Sequence, residues 1–199
     1  MRLCFVGDSI TNGTGDPDYL GWVGRVMQHE RARGSELTSY NLGIRRDRSD
    51  QIRARWRAEV EARLPDEHDG RVVFAFGAND AVQEIAPAVT RGHAEAMLSE
   101  ALVRWPVFMV GPAPLADARA RERLAALDRA LGALCGRLGV PYAPVFDGLM
   151  ATPTWLDEAR AGDGAHPGAA GYRRMADLIL TSEAWRGWVA RSKLQRRLP

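Results

Sequence analysis

Apolar residues fall along the chain in two alternating patterns. Continuous runs at Leu3–Val6, Val72–Phe76 and Val107–Val110 carry no polar break, as expected of strands covered on both faces. Thr38–Leu42 and Val140–Pro144 read as two further short strands. Between the runs, apolar positions recur at spacings of three and four, the mark of a helix with one buried face. Leu20, Val23 and Met27 form one stripe, in a helix over Tyr19–Met27. Ile52, Trp56, Val60 and Leu64 form a second, with Ser49 placed to cap it. A third helix is expected around Gly92–Arg104. The longest opens at Asp117 and repeats Leu124, Leu127, Leu131, Leu134 and Leu138 before Gly139, a residue suited to a left-handed C-terminal cap. A helix over about Ala169–Thr181 follows, then an amphipathic piece carrying Trp185, Trp188 and Val189. Regular alternation of strand and helix predicts an α/β fold, with a parallel sheet covered by helices on both faces.

Composition narrows this picture. At 199 residues the chain suits a single domain over 1–199, with 183–199 as a C-terminal helical extension. No stretch approaches the ~20 apolar residues of a membrane helix, so no integral membrane segment is expected. The start MRLCFVGDS reaches acidic Asp8 too early for a signal peptide, and a cytoplasmic location is expected. Cys4 and Cys135 make neither a metal spacing nor a redox pair and read as buried thiols. The net charge of +2 is too small to point to nucleic acid. The basic run Arg191, Lys193, Arg196 and Arg197 reads as a solvated chain end. Oligomeric state is left open.

In a parallel sheet of this kind, ligands bind beyond the carboxyl ends of the strands. The segments there are Gly7-Asp8-Ser9, Asn41-Leu42-Gly43, Gly77-Ala78-Asn79-Asp80 and Asp163-Gly164-Ala165-His166. A serine hydroxyl becomes a useful nucleophile only when a base takes its proton, and the base needs an orienting group. Of the four histidines, His29, His68 and His93 stand in charged helical or turn contexts and read as surface residues. His166 instead lies in a glycine-rich loop before a helix, with Asp163 three residues ahead. It is the candidate general base and, later, the general acid; Asp163 is its candidate orienter. For the developing oxyanion, the candidate donors are the backbone N–H of Ser9, Gly43 and the side-chain amide of Asn79. Asp8 and Asp80 read as structural carboxylates that bond loop backbone.

Gly7-Asp8-Ser9-Ile10, Gly43, Gly77-Ala78-Asn79-Asp80 and Asp163-Gly164-Ala165-His166-Pro167 resemble the ordered blocks of the SGNH/GDSL hydrolase superfamily. The resemblance runs from position 7 to Tyr172. It implies a flavodoxin-like three-layer α/β/α sandwich. It also implies a catalytic triad of Ser9, Asp163 and His166, with oxyanion donors from Ser9, Gly43 and Asn79. The chain departs from the pattern at Ile10, where the motif has leucine, and at Arg46, where many members carry a second glycine. The second departure bears on the local turn. Arg45 or Arg46 could reach the pocket mouth, a solvated arginine pair being the plainer expectation.

Other chemistries fit less well. Thr11 stands where an α/β-hydrolase elbow needs glycine. Gly13-Thr14-Gly15 opens like a dinucleotide loop, but Asp18 breaks the pattern. No Walker lysine, HExxH or Cys/His cluster is present, so no cofactor and no metal are expected. The reading is a hydrolase of small-molecule acyl esters or thioesters acting through an acyl-Ser9 intermediate. The same residues would serve a thioesterase, a lysophospholipase or a carbohydrate deacetylase. A non-catalytic small-molecule-binding module is the alternative class. The loops Ala81–Pro87 and Gly148–Ala161 are expected to shape the pocket, with Val82, Ile85 and Trp155 as candidate walls. Packing beneath the loop is an equal expectation for Trp155.

Overall fold

The computed structural model describes residues 1–190. The basic run from Arg191 to Arg197, and with it the end of the expected 183–199 extension, lies outside the described residues. Five parallel strands, β1 (Arg2–Gly7), β2 (Thr38–Gly43), β3 (Gly70–Ala75), β4 (Val107–Val110) and β5 (Tyr142–Ala143), form one sheet in the order β2-β1-β3-β4-β5. The helices are α1 (Ser9–Asn12), α2 (Gly21–Ala32), α3 (Ser49–Glu61), α4 (Ala78–Val82), α5 (Pro87–Leu102), α6 (Ala118–Leu138), α7 (Phe146–Met150), α8 (Thr154–Ala161), α9 (Ala169–Thr181) and α10 (Glu183–Ala190). One layer contains α2, α9 and α10, and the other α3, α5 and α6. This is the three-layer, flavodoxin-like arrangement. Its strand order reverses direction between β1 and β3, so a crevice opens at the carboxyl ends of those two strands.

The apolar runs occupy the centre because both of their faces are covered. Every residue of β3 and β4 is buried. Trp56 of α3 meets Phe74 edge-on at 5.4 Å, and Trp22 of α2 meets Phe5 at 5.6 Å from the opposite face. The longest helix runs as its periodicity predicts. The Asp117 side chain caps it through the Ala120 N–H, and Gly139 closes it in the left-handed conformation. Cys4 and Cys135 are buried and unpaired with each other, and burial pushes both thiols up to about 12.

Several elements differ from the sequence expectation. The helix expected over Tyr19–Met27 is Gly21–Ala32, and α3 is capped at Arg48, not at Ser49, whose hydroxyl bonds to Asp80 instead. The helix expected near Gly92 begins at Pro87, because proline at a first helical position loses no hydrogen bond. The expected loop Gly148–Ala161 contains the end of α7 and all of α8, the latter folding to bury Trp155, Leu156 and Ala159. The last strand shrinks to Tyr142–Ala143, flanked by Pro141 and Pro144, which have no N–H to offer a ladder.

The segment holding Trp185 and Trp188 docks on its own chain. Both indoles pack against Phe108, at 5.2 and 5.3 Å, and Trp185 Nε1 donates to Glu30 Oε1 at 2.9 Å. Arg71, buried at the start of β3, donates to the carbonyls of Trp188 and Val189 and to the Asp69 carboxylate. A cation at those carbonyls also suits the negative end of α10.

Candidate active site

The chain turns sharply where β1 ends. Asp8 Oδ1 accepts the Ile10 N–H at 2.9 Å, which starts α1 with Ser9 as its first residue. Gly13, left-handed at φ 87°, ends that single turn by donating to the Ser9 carbonyl. The nucleophile candidate is thus held on a short rigid corner above the crevice.

His166 Nε2 lies 2.8 Å from Ser9 Oγ, and His166 Nδ1 lies 2.7 Å from Asp163 Oδ2. Asp163 Oδ1 also accepts the N–H groups of Ala165 and His166, each at 3.0 Å. Partial burial pushes the Asp163 carboxyl up, but the bonds from the His166 ring and from these backbone groups outweigh it, and the group is held down at about 2. An ionised Asp163 accepts a hydrogen bond from His166 Nδ1–H and so keeps the ring proton on Nδ1, which leaves Nε2 as acceptor for the serine hydroxyl. The arrangement can therefore deprotonate Ser9 and return the proton to a leaving group.

The loop carrying His166 is pressed against the Ser9 corner. Gly15 has φ 88°, and a Cβ there would stand 2.9 Å from His166 Cβ. Only glycine fits both the conformation and the contact. The Tyr172 hydroxyl donates to Thr14 O at 2.7 Å, and Glu158 accepts the Gly171 N–H at 2.7 Å at the start of α9.

Asn79 Nδ2 donates to Asp47 O at 2.9 Å, which leaves its second N–H for a ligand. Gly43 lies against the turn of α1, where a Cβ would come within 2.3 Å of Asn12 N. Its N–H donates to Asn41 Oδ1 at 3.0 Å, so this donor already has a partner within the protein. Ser9, His166 and Asn79 open into a pocket of about 440 Å³, walled also by Val82, Leu115 and Arg46. That size suits a small molecule.

Residues 5–174 match the GDSL-like lipase/acylhydrolase family. The chain belongs to this family. It is 25% identical to the esterase TesA of Pseudomonas aeruginosa over 180 residues, covering 90% of this chain and 86% of that protein. Among solved structures it is similar to a lipase/acylhydrolase from Enterococcus faecalis, with TM-score 0.76 and 27% identity over 93% of this chain and 96% of that one. A crystal structure of TesA gives TM-score 0.79 at 23% identity, over 94% and 99% of the two chains. The chain is a carboxylic ester hydrolase of the GDSL type. No helix among the described residues is long and apolar enough to cross a membrane.

Asp80 is the structural carboxylate expected from the sequence: buried next to Asn79, it accepts from Ser49 N at 2.9 Å, from the Ser49 hydroxyl and from Thr90 Oγ1 at 3.0 Å. Other residues that support this GDSL site were not apparent in the sequence. Ser49 Oγ in turn lies 2.8 Å from His93 Nδ1. His93 is therefore a half-buried member of a network, not the surface residue its charged context suggests. Arg55 ties the ends of β1 and β2 to the loop after β2, donating to Gly7 O at 2.9 Å, Leu42 O at 3.0 Å and Asp47 Oδ2 at 2.6 Å. The available signal was its place one helical step beyond Ile52, beside the buried stripe.

The expected pocket walls divide. Val82 stands exposed on the rim. Ile85 is half-buried, its N–H bonded to Asp80 O at 2.9 Å, and is not among the residues lining the pocket. Trp155 is 0% exposed, so it is not a wall. It packs edge-on against Tyr172 at 5.7 Å and donates to Pro114 O at 2.7 Å.

Proposed function

We propose that the chain hydrolyses carboxylic esters or thioesters through an acyl-Ser9 intermediate, without a cofactor. The unbroken series Ser9 Oγ, His166, Asp163, at 2.8 and 2.7 Å, carries this reading. His166 Nε2 takes the hydroxyl proton as Ser9 attacks the acyl carbon. Asp163 holds the ring in place and stabilises the imidazolium. The oxyanion is received by the Ser9 N–H, by the second N–H of Asn79 and by the Gly43 N–H, which exchanges Asn41 for the ligand. His166 then protonates the leaving oxygen or sulfur. Water repeats the sequence on the acyl-enzyme, frees the carboxylic acid and restores Ser9.

A fluorophosphonate probe tests the assignment. One adduct on Ser9 is expected, absent from Ser9→Ala. A folded wild-type protein that neither takes the label nor hydrolyses p-nitrophenyl acetate overturns the reading.

A further inference from the structure

The pocket mouth carries positive charge from consecutive residues. Arg45 and Arg46 both line the pocket that holds Ser9, Asn79 and His166. Arg46 adopts φ 72°, a conformation that glycine takes freely and that an L side chain rarely adopts. Its side chain is exposed and forms no ion pair among the described residues. Neither packing nor pairing accounts for an arginine there. By contrast Glu84, also at positive φ, pairs with Arg123 at 2.7 Å.

Arg45 places its own charge on the His166 side of the pocket. Its Nη2 is 3.7 Å from Asp163 Oδ2, beside the imidazole that would protonate the leaving group. Arg45 also lines a groove that continues past His166 along Gly15 and Gly168. The acidic groups facing the pocket are Asp163, engaged with His166, and Asp117, which caps α6; the groove adds Glu158, engaged with the N–H groups of Ala170 and Gly171.

We propose that Arg46, with Arg45 beside it, forms an anion subsite at the pocket mouth, and that the preferred substrates are esters bearing a carboxylate or phosphate in the leaving group. The inference rests on the acyl-Ser9 reading. Planar guanidinium groups suit the paired oxygens of either anion.

The test compares kcat/KM for matched butyrate esters. One pair has 4-hydroxybutanoate or 4-hydroxybutanamide as the leaving alcohol. A second has 3-hydroxypropyl phosphate or 3-methoxypropanol. A third pair, monoethyl succinate against ethyl butanoate, moves the anion to the acyl side. At low salt the anionic member of the first two pairs is expected to be favoured by about tenfold, an advantage that shrinks near ~0.5 M salt as screening sets in. In Arg46→Gly the ratio of anionic to neutral ester should fall towards one. Arg46→Lys should keep part of it, and Arg46→Glu should reverse it. The carboxylate and phosphate arms show which anion the subsite prefers. Equal rates on charged and neutral esters in the wild type overturn the proposal, as does an advantage that survives in Arg46→Gly or that appears only on the acyl side. No hydrolysis of any ester, together with no fluorophosphonate label, is instead the failure of the acyl-Ser9 reading.

Discussion

Asp8 stands one residue before Ser9 and is sealed from solvent. Burial pushes its carboxyl up against the pull of the Ile10 N–H, the nearby charge of Asp80 adds to the rise, and the group reaches about 7. Its Oδ2 has no hydrogen-bond partner among the described residues. The folded protein therefore keeps a proton that the unfolded chain releases near its ordinary value of 3.8. Asp8 favours the fold fully below about pH 4, and that contribution is lost as pH rises through about 7. Asp8→Asn keeps the acceptor for Ile10 and removes the titration. Urea unfolding at several pH values should show the wild type losing, relative to this variant, on the order of a few kcal/mol between about pH 4 and 7. Parallel pH curves for the two proteins would refute the assignment. At this scale the sequence was most readable where partners are close along the chain, as with Asp163 and His166. The engagement of Gly43 by Asn41, the bridging by Arg55 and the Ser49–His93 contact were not readable. Each depends on how a side chain is aimed once the loops are folded, which residue type and spacing do not specify.

The connection from Gly13 to Gly21 has no regular structure, yet it supplies the wall against which His166 sits. A buried ion pair holds it. Arg25 of α2 bonds the Asp16 carboxylate through both terminal nitrogens and reaches Asp18 at 2.8 Å, while Asp16 also accepts the Gly21 N–H at 2.7 Å. Removing one partner of such a pair strands a buried charge. Arg25→Ala should therefore lower the unfolding free energy by about 3 kcal/mol, near the low end for such losses because Asp16 keeps its backbone donors. Arg25→Lys should recover little, since one ammonium cannot reproduce the two-nitrogen contact. A urea midpoint unchanged in Arg25→Ala would show that the pair does not support the loop. Long periodic elements such as α3 and α6 were legible because burial repeats over several turns. The short helices α1, α4 and α7 were not, since each is only four or five residues long, close behind a strand, and too short to show a periodicity.

Over the whole molecule, the last described helix closes the layer that begins with α2. Trp185 is fully buried against Phe108 and bonded to Glu30. Its truncation to alanine should cost about 3–5 kcal/mol and lower the melting temperature, while Ser9 labelling well below that temperature persists. A melting temperature equal to wild type would show that this docking adds nothing to stability. The strand–helix alternation foretold parallel strands and two helical layers. It did not foretell that Arg71, lying beside an apolar strand run, would fasten the last described helix. The turn from Asp163 to His166 has one further consequence. The proposed base and its carboxylate partner are separated by three positions, so lengthening or shortening any upstream connection displaces both together and leaves their mutual alignment intact. The pair is a cassette whose internal alignment owes nothing to the length of the other connections, and a graft of this turn onto another scaffold would bring a ready-oriented imidazole with it.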